Sequence, residues 1–204
     1  MHVVCLDLEG VLVPEIWIGL AEKTGIESLR ATTRDVPDYE QLMRRRLDLL
    51  NAHGLGFAEL RQAAGSLEPL DGAREFLEWL RERCQVVILS DTFYELAGTL
   101  MRKLGWPTLF CHRLEVDHNG RIAGYRLRQA RPKQAAVRAL RSLNFQVLAV
   151  GDSYNDLDML AEADAGILFR PPANVVRAAP DYPVTQDYDA LKAALVNAGR
   201  SIGS

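Results

Sequence analysis

Four runs of the chain are apolar without alternation: VVCLDL (3–8), QVVILS (85–90), FQVLAVGD (145–152) and AGILF (165–169). A strand with one wet face alternates apolar and polar positions, whereas a strand covered on both faces does not. The length and β-branched content of these runs favour strand over helix. Helical patterns fill the intervals. GAREFLEWLRERC (72–84) precedes the second run, and ELAGTLMRKLG (95–105) follows it with Gly105 as a stop. PKQAAVRALRSL (132–143), with Pro132 in its first turn, precedes the third, and NDLDMLAEA (155–163) follows it. DYDALKAALVNAG (187–199) reads as a last surface helix. Alternating β and α units predict an α/β fold, a parallel sheet with helices on both sides.

Two stretches break this rhythm. From residue 14 to about 70 the pattern is helical only, in PEIWIGLAEKTG, DYEQLMRRRLDLLNAHG and GFAELRQAAG. An all-helical insert after the first strand predicts a cap over 14–69, on a core of 1–13 and 70–204. The second stretch is LEVDHNGRIAGYRLR (114–128), where Asn119-Gly120 between β-type flanks signals a hairpin.

Composition narrows the class. The chain has 204 residues, 48 % of them apolar, enough for a substantial core. A net charge of −3 argues against a nucleic-acid or anionic-membrane surface, which needs basic patches. Cys5, Cys84 and Cys111 form no CxxC and no zinc spacing, so they read as buried thiols in a reducing compartment. With no signal-peptide pattern and no apolar run of membrane length, the expectation is a cytoplasmic protein.

In open α/β sheets ligands bind beyond the carboxyl ends of the strands, so the residues ending each apolar run carry the chemical information. Asp7 and Glu9 end the first run and would project to one side if the strand continues that far. Ser90 ends the second, where it also suits the N-cap of the next helix. Asp152 ends the third, followed closely by Asn155, Asp156 and Asp158. Carboxylates this close repel one another unless a cation joins them; the alternative is a capping turn built by Asp152 and Ser153, with Asp158 on the outer helix face. Lys133 opens the helix leading into the third strand, a position that usually holds a surface lysine.

Together these groups describe one chemistry. Asp7 and Asp152 can share a hard divalent cation, Mg²⁺ being the natural choice for oxygen ligands. A phosphate on that ion would meet the Ser90 hydroxyl, backbone amides and the Lys133 ammonium. Asp7 can then attack phosphorus in line and become an aspartyl-phosphate, while Glu9 serves as general acid and then base.

The ordered motifs DLEGVLV, ILSDT, RPK and GDSYNDLDML resemble those of the haloacid dehalogenase superfamily, across most of the chain. The resemblance implies a Rossmann-like core with a mobile cap. The helical insert and the GDSYND form of the last motif resemble phosphoserine phosphatases. Runs such as CLDLEGVLVPEIWI and VVILSDTFYE are shared with the branch that passes phosphate from phosphoserine to water or to homoserine.

By this resemblance Asp7 is nucleophile and metal ligand, and Glu9 is the acid/base whose backbone carbonyl also meets Mg²⁺. Ser90 and Lys133 bind phosphate, and Asp152 binds the metal. Asp156 holds metal-bound water or orients Lys133, and Asn155 reaches the substrate. In the cap, Glu15 takes the substrate ammonium and Arg46 its carboxylate, while Arg44 and Arg45 belong to a solvated helix face. Two departures stand out: Glu9 replaces the usual aspartate, and Asp91-Thr92 replaces a common Gly-Gly. A carboxylate beside a phosphate is costly unless it turns away or pairs, so Asp91 is expected to contribute its backbone amide. Two other classes fit the same residues: a phosphatase for another small phosphomonoester, and a phospho-aspartate switch, against which Glu9 and the insert speak. This reading leaves room for a homodimer.

Overall fold

A computed structural model describes residues 1–199 apart from Arg34 and Pro37, so the last five residues of the expected core lie outside the described ones. The chain runs from β1 (His2–Leu6) through three helices, α1 (Ile16–Thr24), α2 (Tyr39–Ala52) and α3 (Phe57–Ser66), to α4 (Ala73–Arg81) and β2 (Gln85–Phe93). It continues with α5 (Tyr94–Lys103), β3 (Thr108–Val116), β4 (Ile122–Arg126), α6 (Pro132–Ser142), β5 (Gln146–Gly151), α7 (Leu157–Glu162) and β6 (Ala165–Phe169). Then follow α8 (Ala173–Ala178), β7 (Val184–Thr185) and α9 (Tyr188–Ala198). Among the described residues no helix is long and apolar enough to cross a membrane.

The seven strands form one sheet in the order β4-β3-β2-β1-β5-β6-β7. All neighbouring pairs are parallel except β3 and β4. The hairpin is therefore no appendage. Its first strand begins at Thr108, upstream of the expected 114, and pairs with β2 as part of the main sheet. Its tip is built by Asp117, whose Oδ1 accepts the N–H groups of Asn119 and Arg121, with Gly120 at φ 79°. α8 and β7 have no counterpart in the hydrophobic pattern, being only six and two residues long.

The strands are apolar on both faces because both are covered. Along β1, Val4 and Leu6 face one core while Val3 and Cys5 face the other. The first core holds α4 and α9 and extends without a break into the helical insert, taking in Ile16, Trp17, Leu20, Met43 and Leu60. The second holds α6 and α7. Cys5, Cys84 and Cys111 are all free; Cys5 and Cys111 are buried as expected, whereas Cys84, just before β2, is only half-buried.

Phe76 is a keystone of the first core. Fully buried, it stacks on Trp79 and on Tyr188, at ring-centroid distances of 6.3 and 4.9 Å. Tyr188 stacks in turn on Phe169 and donates its hydroxyl to the Val11 carbonyl at 2.6 Å. The loop leaving β1 is thus tied to α9. Phe76→Ala should destabilise the fold by about 3–5 kcal/mol, read as a lower urea midpoint at unchanged slope.

Candidate active site

β1 lies at the centre of the sheet, with the next strand in sequence, β2, on one side and β5 on the other. The winding reverses between β1 and β5, and the carboxyl ends of two such strands form a crevice. Asp7 follows β1 directly and Asp152 follows β5 directly, and the Asp7 N–H donates to the Val150 carbonyl at 2.9 Å. Topology alone thus brings together acids that are 145 positions apart in sequence (152 − 7).

The lysine of the third motif completes the cluster. Lys133 is 4 % exposed, and its Nζ lies 2.9 Å from Asp7 Oδ1 and 2.7 Å from Asp156 Oδ1. It is no surface lysine. Arg131, in the left-handed region at φ 45°, and Pro132 turn the chain into α6 just before it. Burial opposes charging the ammonium, but Asp156, Asp7 and Asp91 together raise its pKa well above the ordinary lysine value. Asp7 is pushed well up as well, by burial first and then by the Asp156 charge, with Lys133 only partly offsetting them.

Asp156 is fully buried and committed on both sides. Its Oδ2 accepts the N–H groups of Asp152 and Ser153 at 2.9 and 3.0 Å, while its Oδ1 holds Lys133. The capping turn foreseen at 151–160 exists, with Ser153 capping it as expected and Asp156 returning the bond as the other half of a capping box. A Cβ at Gly151 would fall 2.3 Å from that of Asp156, so only glycine lets the two segments approach this closely. Asp158 is exposed, as expected of the outer helix face.

Asp7 and Glu9 do not share a strand face. β1 ends at Leu6, and a turn follows in which the N–H groups of Leu12 and Val13 both reach the Leu8 carbonyl, with Gly10 at φ 84°. Glu9 instead reaches the start of α1, where its Oε2 accepts the Ile16 N–H at 2.9 Å. Burial raises its pKa against that hydrogen bond and the nearby Arg46 charge. Glu15 and Thr92 lie beside the same carboxyl and also act to lower its pKa.

Ser90 does not cap a helix. β2 runs on to Phe93, and the Ser90 hydroxyl accepts the Thr92 N–H at 3.1 Å, leaving its own proton for an acceptor in the crevice.

The insert forms the opposite wall of the pocket, with Glu15, Trp17, Tyr39 and Arg46 facing Asp7, Ser90 and Asp91. Arg44 and Arg45 are exposed and Arg46 is buried. Its guanidinium lies 4.4 Å over the Trp17 ring, and Nη2 donates to the Ala31 carbonyl at 3.0 Å. Among the described residues its Nε has no hydrogen-bond partner, and Nη1 meets the Met43 sulfur at 3.8 Å. Burial lowers its pKa to about 10, which leaves it charged at neutral pH. A buried charged donor left without a partner costs about 1–3 kcal/mol or more.

Asp91 does not rely on its backbone alone. Its Oδ2 accepts the Asn155 amide N–H at 2.6 Å, its Oδ1 lies 3.2 Å from His112 Nε2, and Lys133 is 3.5 Å away. Burial would raise this carboxyl, but Lys133, His112 and Asn155 hold it well below the usual carboxylate range. Asn155 Oδ1 accepts from the Ser153 and Thr33 hydroxyls, so the amide is fixed on both sides. Sequence reasoning missed His112, Tyr39, Thr33 and Trp17. They carry no motif, and each reaches the site from an element that periodicity treats as ordinary.

Asp7, Asp152 and Asp156 offer carboxylate oxygens within 4.8 Å of one another, all buried. Three carboxylates against one ammonium leave the cluster short of positive charge, and an all-oxygen donor set suits a hard cation such as Mg²⁺.

The family model for haloacid dehalogenase-like hydrolases matches residues 1–164. The chain belongs to that family and is an enzyme of it. It is 57 % identical to a Pseudomonas aeruginosa protein named phosphoserine phosphatase ThrH, over 97 % of both chains. It is 58 % identical to a Pseudomonas syringae phosphoserine phosphatase, over 97 % of this chain and 84 % of that one. Among solved structures, a phospho-aspartyl intermediate analogue of a phosphoserine phosphatase superposes with a TM-score of 0.78 at 21 % identity, covering 93 % of this chain and 96 % of the other. That likeness shows the fold.

Lys133→Met removes the only ammonium contacting these acids among the described residues. Without the lysine nothing offsets the burial and the neighbouring Asp156 charge that already push Asp7 up, so the folded-state pKa of Asp7 lies still further above its unfolded value. The native state then binds more protons, so stability should fall as pH rises above about 4. Chemical denaturation of this variant without divalent ions, at pH 5 and pH 8, should show lower stability at pH 8; equal stability would remove the lysine from charge compensation.

Proposed function

We propose that this enzyme moves the phosphoryl group of O-phosphoserine through an aspartyl-phosphate at Asp7, to water and to homoserine. The observation that carries this reading is that Asp7, paired with the buried Lys133, lines one pocket with Arg46, whose Nε has no hydrogen-bond partner among the described residues. The names of the two Pseudomonas relatives agree with it.

The Asp7 carboxylate attacks phosphorus, and the bond from phosphorus to the serine oxygen breaks. Glu9, its pKa raised by burial, gives its proton to that oxygen. Glu9 then takes a proton from water or from an acceptor hydroxyl as this attacks phosphorus, and Asp7 is released. Lys133 and the Ser90 hydroxyl hold the phosphoryl oxygens. Asp7, Asp152 and the Glu9 carbonyl would hold Mg²⁺, which supplies positive charge to the same oxygens. Asp156, with both oxygens engaged, orients Lys133 and the turn after β5. Arg46 and Glu15 take the carboxylate and ammonium that serine and homoserine share. The extra CH₂ of homoserine is worth only about 1–3 kcal/mol in a pocket.

A phosphorus NMR time course tests the reading. Phosphoserine with Mg²⁺ should give inorganic phosphate, added homoserine should divert signal to O-phosphohomoserine, and both should stop with chelator or in Asp7→Asn. Absence of the diverted product at saturating homoserine would leave a phosphatase alone. Activity on other phosphomonoesters but not on phosphoserine would overturn the substrate.

Arg46→Ala should lower kcat/KM for phosphoserine about tenfold to a hundredfold, the effect of losing a bond to a charged group. An aryl phosphate, lacking the carboxylate, should be affected far less. Equal losses in a steady-state comparison would separate Arg46 from substrate recognition.

A further inference from the structure

We propose that His112 is a positioning residue, whose neutral imidazole holds the Asp91 carboxylate and, through it, Asn155 and the helical insert in place over the nucleophile. The statement about turnover rests on the reading above; the statement about position rests on geometry alone.

His112 lies on β3 and is 1 % exposed. The Arg128 N–H points at its Nδ1 at 3.3 Å. A nitrogen that accepts carries no proton, so the proton sits on Nε2 and is donated to Asp91 Oδ1 at 3.2 Å. Two tethers from the insert converge on the same acid. Thr33, between α1 and α2, donates its hydroxyl to Asn155 Oδ1 at 2.9 Å, and Asn155 donates to Asp91 Oδ2. Tyr39, the first residue of α2, donates its hydroxyl to the Asp91 carbonyl at 2.9 Å. The Tyr39 ring packs edge-on against the His112 ring, with centroids 5.9 Å apart. His112 therefore touches one tether directly and fixes the acid on which the other depends.

The residue type follows from the charges. Asp91 stands close to where a phosphate would be held and must be kept turned from it. An apolar side chain at 112 would leave Oδ1 without that donor in a buried place. A lysine or arginine there would compete with Lys133 for the acid. A neutral imidazole supplies one N–H and no charge. This also gives the antiparallel hairpin a function: it carries His112 on β3, and just beyond β4 the Arg128 N–H that sets the tautomer.

Four forms of the full chain decide it: wild type, His112→Leu, His112→Gln, which can offer an N–H near the Nε2 position, and Tyr39→Phe, which cuts one tether from the other side. Hydrogen exchange without substrate reads the insert directly. In His112→Leu, amides of residues 38–46 should exchange about tenfold to a hundredfold faster, with those of β1 and β5 unchanged. Tyr39→Phe should speed the same amides, and His112→Gln should restore most of the protection. In turnover, His112→Leu should raise KM for phosphoserine more than it lowers kcat, and should shift product from phosphohomoserine toward inorganic phosphate. Wild-type exchange at 38–46 in His112→Leu overturns the proposal, as does His112→Gln behaving like His112→Leu. If His112→Leu does not fold, unchanged exchange at 38–46 in Tyr39→Phe overturns the tether that the proposal requires. Should wild type leave phosphoserine untouched, the functional reading falls while exchange still decides the role of His112.

Discussion

Burying Asp7, Asp152 and Asp156 side by side would be prohibitive without a cation, and Lys133 is the cation the fold itself supplies. Its ammonium bridges the acid after β1 and the acid in the turn after β5. The features around it serve to hold it there. Pro132 starts α6 so that Lys133 falls on its first turn, and Asp156 is fixed by two backbone N–H groups before it meets the lysine. Gly151 allows Asp156 to come that close. One ammonium still leaves an excess of negative charge, and the three carboxylates are grouped so that they could hold a hard cation.

The helical insert is best understood as the other half of the same pocket. It shares its hydrophobic core with one face of the sheet, so its helices do not form a separately packed unit. What it brings is complementary to the acid cluster: an arginine with an unused donor, set over Trp17, and Glu15 beside it in the pocket wall. Under the proposed function, phosphoryl chemistry would sit on the sheet side and amino-acid recognition on the insert side, so turnover would require the two to be held together.

Asp91 is where they are held. In isolation a carboxylate beside a phosphate site looks like an error, and the fold absorbs it by pairing it on every side, with His112, Asn155 and Lys133. Once paired, it becomes an anchor for Tyr39 and, by way of Asn155, for Thr33. The departure from the common Gly-Gly is thereby explained by contacts from three separate parts of the chain.

Much of this was legible in the chain itself. The strands buried on both faces announced themselves as apolar runs without alternation, and the acids ending those runs marked the rim where chemistry belongs, because burial and strand ends leave a local trace in the pattern. The sequence also singled out Arg46 within its triplet by resemblance, and Asp158 as an outer residue. What it did not determine depends on distance in space rather than order along the chain. β1 stops at Leu6 because a turn intervenes, so Glu9 reaches the site through the start of α1. Ser90 lies inside a strand because β2 runs three residues further, to pair with β3. Lys133 is buried because three carboxylates from separate segments surround it, and His112 matters because Asp91, twenty-one positions earlier, comes to lie against it. Each is a pairing between elements, and a linear pattern records what one element needs, not which partner tertiary packing will bring to it.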